Sequence, residues 1–142
     1  MNLTELTLNA YPSHTTDKIR FADTDRQGHV NNACFATFLE TGRVELLYAQ
    51  ETSITAPGCV FVIVQLNVAL KAELQWPGVV DIGTGVTKLG NSSIGLAQGL
   101  YQNGNLAAIA ETVIVQIDEL TKKPMPLSIH ARDFLEKLRL PD

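Results

Sequence analysis

The chain lacks several features that would at once assign it to a class of protein. It has no excess of positive charge, since 11 Lys and Arg residues stand against 15 Asp and Glu residues, for a net charge of −4. A nucleic-acid-binding surface is normally basic. The longest aliphatic or aromatic run, residues 60–64, is far shorter than the ~20 residues that span a bilayer. We therefore expect neither nucleic acid nor a membrane among its partners.

Cysteine is scarce, and we expect no secretory leader from the first residues. Cys34 and Cys59 form no CxxC pair and are too few for a disulfide framework. The residues Met1–Glu5 show neither the basic nor the apolar region of a secretory signal. The chain has 142 residues, of which 45% are hydrophobic and 18% charged, enough for a sizeable core. These features predict one cytoplasmic domain spanning residues 1–142.

The first half of the chain predicts a strand, a polar loop and a long helix. Residues 1–14 read as a polar lead-in, and a strand is expected over Thr15–Ala22 with Ile19 and Phe21 on one face. The polar block 23–32 cannot continue that strand. A helical pattern then runs from about residue 33 to residue 50. Its apolar stripe comprises Phe35, Phe38, Leu39, Gly42, Leu46 and Ala49.

The second half predicts strands. Four segments rich in Val, Ile and Leu, at 58–74, 79–89, 92–102 and 106–118, are separated by turn residues. Asn103-Gly104 is a strong signal for a two-residue hairpin. Four consecutive strands with short connections predict an antiparallel meander, and a short helix is expected from Ser128.

This order of elements predicts an α+β fold with a five-stranded antiparallel sheet curved around one long central helix, and a short C-terminal helix. The other face of the sheet also looks too apolar to meet water along its whole length. Burial between copies of the chain would cover it, so we expect a dimer at least.

The loop 23–32 carries the residues with the clearest chemistry. A helix N-terminus offers unpaired N–H groups and the positive end of the helix dipole. Carboxylates at 23 and 25 lie just before it, with His29, Asn31 and Asn32 interleaved and Gly28 allowing close approach. Such an arrangement suits acyl hydrolysis. The same residues would equally serve as caps and turn formers, and spacing alone leaves both interpretations open.

Other motifs point to no cofactor. Asp23-x-Asp25-x-Gln27-Gly28 begins like a calcium loop, but its twelfth position is Cys34 rather than glutamate. Gly83-Thr84-Gly85 lacks the third glycine of a dinucleotide fingerprint. The histidines are dispersed along the chain, which argues against a zinc site. We expect no metal and no organic cofactor.

The segment Arg20–Asn32, together with Phe38-Leu39-Glu40-Thr41-Gly42-Arg43, closely resembles hot-dog-fold acyl-CoA thioesterases of the 4-hydroxybenzoyl-CoA thioesterase-like family. The resemblance covers residues 16–127 and is most specific in Asp-x-x-Gly-His-Val-Asn-Asn. It implies a sheet wrapped around one helix, paired into dimers or tetramers, and hydrolysis of acyl-CoA to a free acid and coenzyme A. An acyl-carrier protein is the alternative carrier.

The resemblance also implies roles for individual residues. Asp25 matches the catalytic carboxylate, acting as nucleophile or general base, and the N–H of Asn32 matches the group that polarises the thioester carbonyl. His29 matches a histidine of related plant acyl-carrier-protein thioesterases, although their asparagine is replaced here by Gln27. The expected substrate-binding residues are Gly28, Val30, Asn31, Glu40, Lys88, Ser92 and Ser93. For the phosphates of coenzyme A, the candidate cations are Lys88, Lys122, Lys123 and Arg26.

Two other functions stay open at this point. One is a hot-dog module that binds an acyl group or metabolite without turnover. The other is a hydratase or dehydratase acting on a CoA- or carrier-bound acyl chain, which usually needs a histidine with an acidic partner rather than a nucleophilic aspartate.

Overall fold

A computed structural model describes residues 1–141. Its helices and strands are β1 (Ser13–Ile19), α1 (Asn32–Tyr48), β2 (Cys59–Leu70), β3 (Gly78–Leu89), β4 (Ser93–Gln102), β5 (Asn105–Asp118) and α2 (Ile129–Glu136). Short 3-10 turns lie at Leu3–Glu5, Leu8–Ala10 and Phe21–Asp23. The predicted set of five strands, one long helix and one short C-terminal helix is confirmed.

The sheet is antiparallel throughout, with the strand order β1-β3-β4-β5-β2. The predicted four-strand meander is therefore wrong in one respect. Strands β3, β4 and β5 follow one another as expected, but β2 pairs with β5 and forms the far edge of the sheet.

The connection from β2 to β3 explains this order, because it crosses the end of the sheet instead of turning back as a hairpin. Along its path, the Lys71 N–H bonds Ala107 O at 2.8 Å. The Gln75 N–H then bonds Gln102 Oε1 at 2.9 Å. The crossing carries residues 71–77 from β2 to the opposite side of the sheet, where β3 begins beside β1.

Strand β1 ends before the predicted boundary. Ile19 is buried as expected, but Phe21 is 71% exposed and packs edge-on against Trp76. The 3-10 turn that starts at Phe21 redirects the chain, so the strand alternation that would have buried this side chain no longer applies.

Helix α1 lies across one face of the sheet and divides the core into two apolar clusters. Phe35, Phe38 and Leu39 join one of them, beside Ile82 and Leu100. The second cluster contains the later helical residues Leu46 and Leu47. The predicted stripe is confirmed except at its end, because Ala49 is exposed and caps the helix.

A polar row lies between these clusters, under the middle of α1. Gln98 donates to Leu39 O and to Thr84 Oγ1, both at 3.0 Å, and accepts from Arg43 Nη1 at 3.4 Å. Burial lowers the pKa of Arg43, although the charge of Glu40 opposes this. The guanidinium of Arg43 is turned into the core, whereas Glu40 is exposed, and the two form no ion pair within residues 1–141.

The opposite face of the sheet is partly covered by the chain itself. Leu3, Tyr11 and Leu140 pack with Ala97 and Tyr101 of β4. The expectation of a polar lead-in is thus wrong for part of residues 1–14, whose scattered apolar side chains pack against the sheet. Part of the apolar face that we expected an oligomer to bury is covered within one chain.

Two further features complete the fold. Ser128 caps α2 by accepting from the Ala131 N–H at 3.0 Å, and Ala131 and Leu135 are buried. Among residues 1–141, no helix is both long and apolar enough to span a membrane.

At Gly42, α1 approaches the sheet closely. A Cβ at this position would lie 2.6 Å from Ile82 Cγ2 and 2.8 Å from Gln98 Nε2. We expect Gly42→Ala to destabilise the protein by about 1–3 kcal/mol through overpacking, despite a gain of ~1 kcal/mol in helix propensity. Urea unfolding at fixed protein concentration measures the change. Thr37→Ala, at an exposed position of α1, is the control, and equal stability of both variants would contradict the expectation.

Candidate active site

The polar loop folds into a small three-stranded ladder at one end of the sheet. Asn31 N–H donates to Asp23 O at 2.8 Å, and Asp25 N–H donates to His29 O at 2.8 Å. Val30 N–H reaches Leu74 O at 3.1 Å. This pairing links the loop to the β2–β3 connection, although more than forty residues of sequence separate them.

The register of this ladder sorts its side chains onto two faces. His29 pairs with Gln75 on one side. On the other side Thr24 pairs with Val30, which places Asp25 opposite His29. Directly opposed residues in an antiparallel pair point to the same side. Val30 and Leu74 point to the other side, into the core. The buried pair therefore directs Asp25 and His29 together away from the core.

Asp25 helps to build its own turn. Its Oδ1 accepts the backbone N–H of Gln27 at 2.9 Å and that of His29 at 3.3 Å. Gly28 has a φ of +84°, which side-chain-bearing residues rarely adopt, and thereby lets the turn close. No hydrogen bond occupies Oδ2 of Asp25 among residues 1–141, so one carboxylate oxygen is held while the other remains available.

The helix begins immediately after the ladder. Asn31 is the N-cap, and its side chain accepts the Ala33 N–H at 3.0 Å. Asn32 is the first helical residue, and its own N–H has no acceptor within the described chain. This donor therefore lies at the positive end of α1 without an internal partner.

A cavity of about 360 Å³ lies against these groups. It is lined by Asp25, Gln27, His29, Val30, Asn32, Phe35, Leu70, Lys71, Ala72 and Glu73. The structure thus brings four of the predicted site residues, namely Asp25, His29, Val30 and Asn32, to one cavity. Its wall combines apolar side chains with a carboxylate, an imidazole and a helix N-terminus.

The other predicted residues lie elsewhere. Gly28 and Asn31 shape the loop and the cap rather than the cavity wall, and Glu40 is exposed on α1. Lys88 and Ser93 line a second cavity of about 350 Å³ near the start of β4. Ser92 O accepts the Gln116 N–H. Within a single chain, these last three residues are separate from Asp25.

Two charged residues of the cavity, both on the β2–β3 connection, were missed from the sequence. Glu73 Oε2 is 3.1 Å from His29 Nε2 and 3.5 Å from Gln75 Nε2. Lys71 is the single Lys or Arg among the lining residues. Nothing in the local sequence marks either residue, since each is an ordinary charged residue beyond the end of a strand.

Asp23 holds the base of the loop. Its carboxylate accepts Arg20 N–H and Arg20 Nη2 at 2.8 Å each, and its carbonyl receives the Asn31 N–H. Burial raises the pKa of Asp23, but the hydrogen bonds and charge of Arg20 outweigh this and leave the pKa below its ordinary value. Cys34 also lies against Asp23, and burial raises the pKa of its thiol. A raised thiol pKa disfavours the nucleophilic thiolate.

Comparison with known proteins identifies the family to which the chain belongs. A family model described as the thioesterase-like superfamily matches residues 19–138, and the chain belongs to this family. The long-chain acyl-CoA thioesterase FadM of Escherichia coli K12 is 30% identical over 128 residues, covering 87% of this chain and 97% of that protein. The predictions of a hot-dog fold and of a thioesterase are confirmed.

Solved structures show the same architecture. A thioesterase from Thermus thermophilus, crystallised with coenzyme A and Zn, has a TM-score of 0.79 and 26% identity, over 94% of this chain and 98% of that one. The PA5185 protein from Pseudomonas aeruginosa matches with a TM-score of 0.85 at 24% identity, over 94% of this chain and 96% of that one. The second likeness bears on the fold alone.

The ion pair at Asp23 makes a prediction about stability and pH. Because the pKa of Asp23 is lower in the folded protein, its stabilisation is present at neutral pH and is lost as the pH falls below about 4. We expect Asp23→Asn to cost about 1–3 kcal/mol at pH 7. The difference in the free energy of unfolding between wild type and Asp23→Asn should narrow as the pH falls below about 4.

Urea unfolding at neutral pH and at several pH values below about 4 measures this difference. Asp133→Asn, which removes an exposed aspartate of α2, is the matched control and should change the free energy of unfolding by less than about 0.5 kcal/mol. A difference between wild type and Asp23→Asn that stays constant down to the acid limit would contradict the assignment.

Proposed function

We propose that this chain hydrolyses acyl thioesters of coenzyme A, with Asp25 and the N-terminus of α1 as its catalytic groups. One observation carries the proposal: Asp25 and Asn32 line the same cavity, and within residues 1–141 neither Oδ2 of Asp25 nor the backbone N–H of Asn32 has a hydrogen-bond partner. A thioester carbonyl placed between them would meet both a donor for its oxygen and a carboxylate for its carbon.

The N–H of Asn32 supplies the electrostatic part of the mechanism. When a nucleophile adds to the thioester, negative charge develops on the carbonyl oxygen, and a fixed N–H at the positive end of a helix stabilises it. One preorganised donor of this kind contributes about 3–4 kcal/mol to catalysis. The Asn31 cap and the ladder to Asp23 hold this donor in place.

Asp25 supplies the chemical part. Its held oxygen orients the carboxylate, and its other oxygen either attacks the acyl carbon or takes a proton from the attacking water. In both routes the carbon–sulfur bond breaks and sulfur leaves with the electron pair. A thiolate needs little protonation to leave, so the site can work without a strong acid.

The substrate class follows from the relatives and the cavity lining. FadM is named a long-chain acyl-CoA thioesterase, and the Thermus thermophilus structure contains coenzyme A. Phe35 and Leu70 provide apolar contacts for an acyl group, and Lys71 provides a cation for the anionic carrier. Since the net charge is −4, attraction of the substrate depends on such local cations.

A hydratase or dehydratase acting on the same acyl carriers is the second candidate. The pairing of His29 with Glu73 favours it specifically, because that chemistry uses a histidine with an acidic partner. Hydration or dehydration of an acyl carrier that is retained in Asp25→Asn and lost in His29→Ala would support this second function.

Substitution of Asp25 tests the main proposal. Asn keeps the oxygen that accepts the turn N–H groups but removes the charge, whereas Ala removes both. We expect Asp25→Asn to keep wild-type stability and to lose at least about 100-fold in kcat/KM. Asp25→Ala should lose the same activity and about 1 kcal/mol of stability as well.

The measurement is release of free thiol from acetyl, medium-chain, long-chain and aromatic acyl-CoAs. If Asp25→Asn hydrolyses any of them as fast as the wild type, Asp25 is a turn-forming residue and the mechanism is wrong. Absence of thiol release from every ester by folded wild type would reject acyl-CoA hydrolysis itself and favour the binding module.

We also propose that the chain forms a homodimer along β2. This strand is twelve residues long and lies at an open edge of the sheet. Its Ile63 and Leu66 remain 48% and 42% exposed. On α1, Val44 and Tyr48 are exposed too, and Tyr48 contacts Phe61 of β2. An unpaired apolar edge of this length is normally covered, and a second copy would extend the sheet.

Sedimentation velocity tests the dimer. We expect wild type to sediment at twice its 15.5 kDa mass, and Leu66→Glu to shift it to monomer because two buried charges would oppose the interface. Leu120→Glu, the same change at a leucine that is 91% exposed, should remain dimeric. A monomeric wild type at about 100 μM, well above the Kd of a stable dimer, would refute the proposal.

A further inference from the structure

We infer that Glu73 is a positioning residue that fixes the orientation and tautomer of His29 for the hydrolytic step. The inference rests on the proposed thioesterase function and deepens it. It concerns two residues that are far apart in sequence and that the ladder at the end of the sheet brings together.

The contact between the two side chains is direct. His29 Nε2 lies 3.1 Å from Glu73 Oε2, which is hydrogen-bonding distance for an N–H donor and a carboxylate acceptor. Because His29 pairs with Gln75 across the ladder, Glu73 is its diagonal neighbour on the same face, within reach of a long side chain.

The backbone that carries Glu73 is anchored on both sides. Lys71 and Ala72 donate to Ala107 O at 2.8 and 3.1 Å. Gln75 exchanges two hydrogen bonds with the side chain of Gln102, at 2.9 and 2.8 Å. The backbone of Glu73 is therefore held between fixed points, and from this position its side chain, which is 60% exposed, reaches His29.

A purely substrate-binding role for Glu73 is unfavourable. The cavity already contains the carboxylate of Asp25, and the carrier of the proposed substrate is an anion. A second carboxylate on the same wall opposes binding by charge repulsion. Its hydrogen bond to His29 is the favourable interaction that this position makes.

The hydrogen bond determines which nitrogen of the imidazole is available. When Nε2–H donates to Glu73, the neutral ring keeps its lone pair on Nδ1. In the route where Asp25 attacks the acyl carbon, the carbon–sulfur bond breaks, sulfur leaves as a thiolate and an anhydride with Asp25 forms. A water molecule then adds its oxygen to the acyl carbon of this anhydride while one of its protons passes to Nδ1. Collapse of the adduct breaks the bond to the Asp25 oxygen, which takes the electron pair, and the imidazolium returns its proton to the thiolate. The carboxylate of Glu73 stabilises the imidazolium meanwhile.

A double-mutant cycle tests whether Glu73 acts through His29. We expect Glu73→Ala to lower kcat at least about tenfold and to change KM by less than about twofold, as expected when no uniform binding is lost. In a His29→Ala background the same substitution should change kcat by less than about twofold.

Glu119→Ala is the matched control. Glu119 is exposed and its backbone bonds Gly58 at the far end of β2, about 40 Å along the strand from Glu73. The kcat and KM of Glu119→Ala should equal those of the wild type. Equal losses from Glu73→Ala in both backgrounds, or a rise in KM without a fall in kcat, would overturn the positioning role.

A measurement without substrate separates this inference from the proposed function. Nitrogen-15 NMR of the labelled wild-type protein, at a pH where imidazoles are neutral, reports the tautomer of each histidine, and His29→Ala assigns the signals. His14 is exposed on β1 and is the internal reference.

We expect a larger Nε2–H fraction for His29 than for His14, falling to the His14 value in Glu73→Ala. The same fraction in wild type and variant would refute the inference, even in an active thioesterase. If wild type releases no thiol from any ester, the proposed function fails while the tautomer still decides the role of Glu73.

Discussion

The close approach of α1 to the sheet at Gly42 determines where both ends of the helix lie. With Gln98 and Thr84 bonded beneath it and an apolar cluster on either side, the helix has one position on the sheet. Its seventeen residues extend about 25 Å. Because the middle is held, the N-terminus is fixed at the end of the sheet where residues 71–77 cross. The N–H of Asn32 is thus preorganised by packing that begins ten residues away.

The crossing between β2 and β3 is the second determinant. A hairpin here would have left residues 71–77 as an exposed turn. The crossing instead lays them across the end of β5 and β4 and pairs them with the loop at His29 and Val30. One connection therefore frees β2 to form an open edge and also delivers Lys71 and Glu73 to the cavity. The strand order and the candidate active site are consequences of the same segment.

Charge is distributed unevenly around the loop. Asp23 is buried and bonded to Arg20, so it serves structure, whereas Asp25 lines the cavity and, within residues 1–141, accepts hydrogen bonds through Oδ1 alone. Two aspartates separated by one residue thus have different roles, because Asp23 belongs to the 3-10 turn and is bonded to Arg20, whereas Asp25 lies in the paired loop opposite His29. Alternation along the paired residues buries Val30 and leaves His29 at the cavity. A helix N-terminus beside these groups supplies positive potential where the proposed reaction develops negative charge.

Features that depend on neighbours along the chain could be predicted from the sequence. The stripe of α1, its asparagine cap, the turn at Gly28 and the position of Asp25 seven residues before Asn32 follow from local periodicity and short-range hydrogen bonds. Other features depend on contacts between distant residues. They are the pairing of β2 with β5, the exposure of Phe21, and the covering of the sheet by Leu3 and Tyr11. The contact between Glu73 and His29, and the separation of Lys88 and Ser93 from Asp25 within one chain, also belong to this group. The physical reason is that strand alternation encodes which face a side chain occupies but not its partner strand, so contacts between distant residues require the assembled sheet.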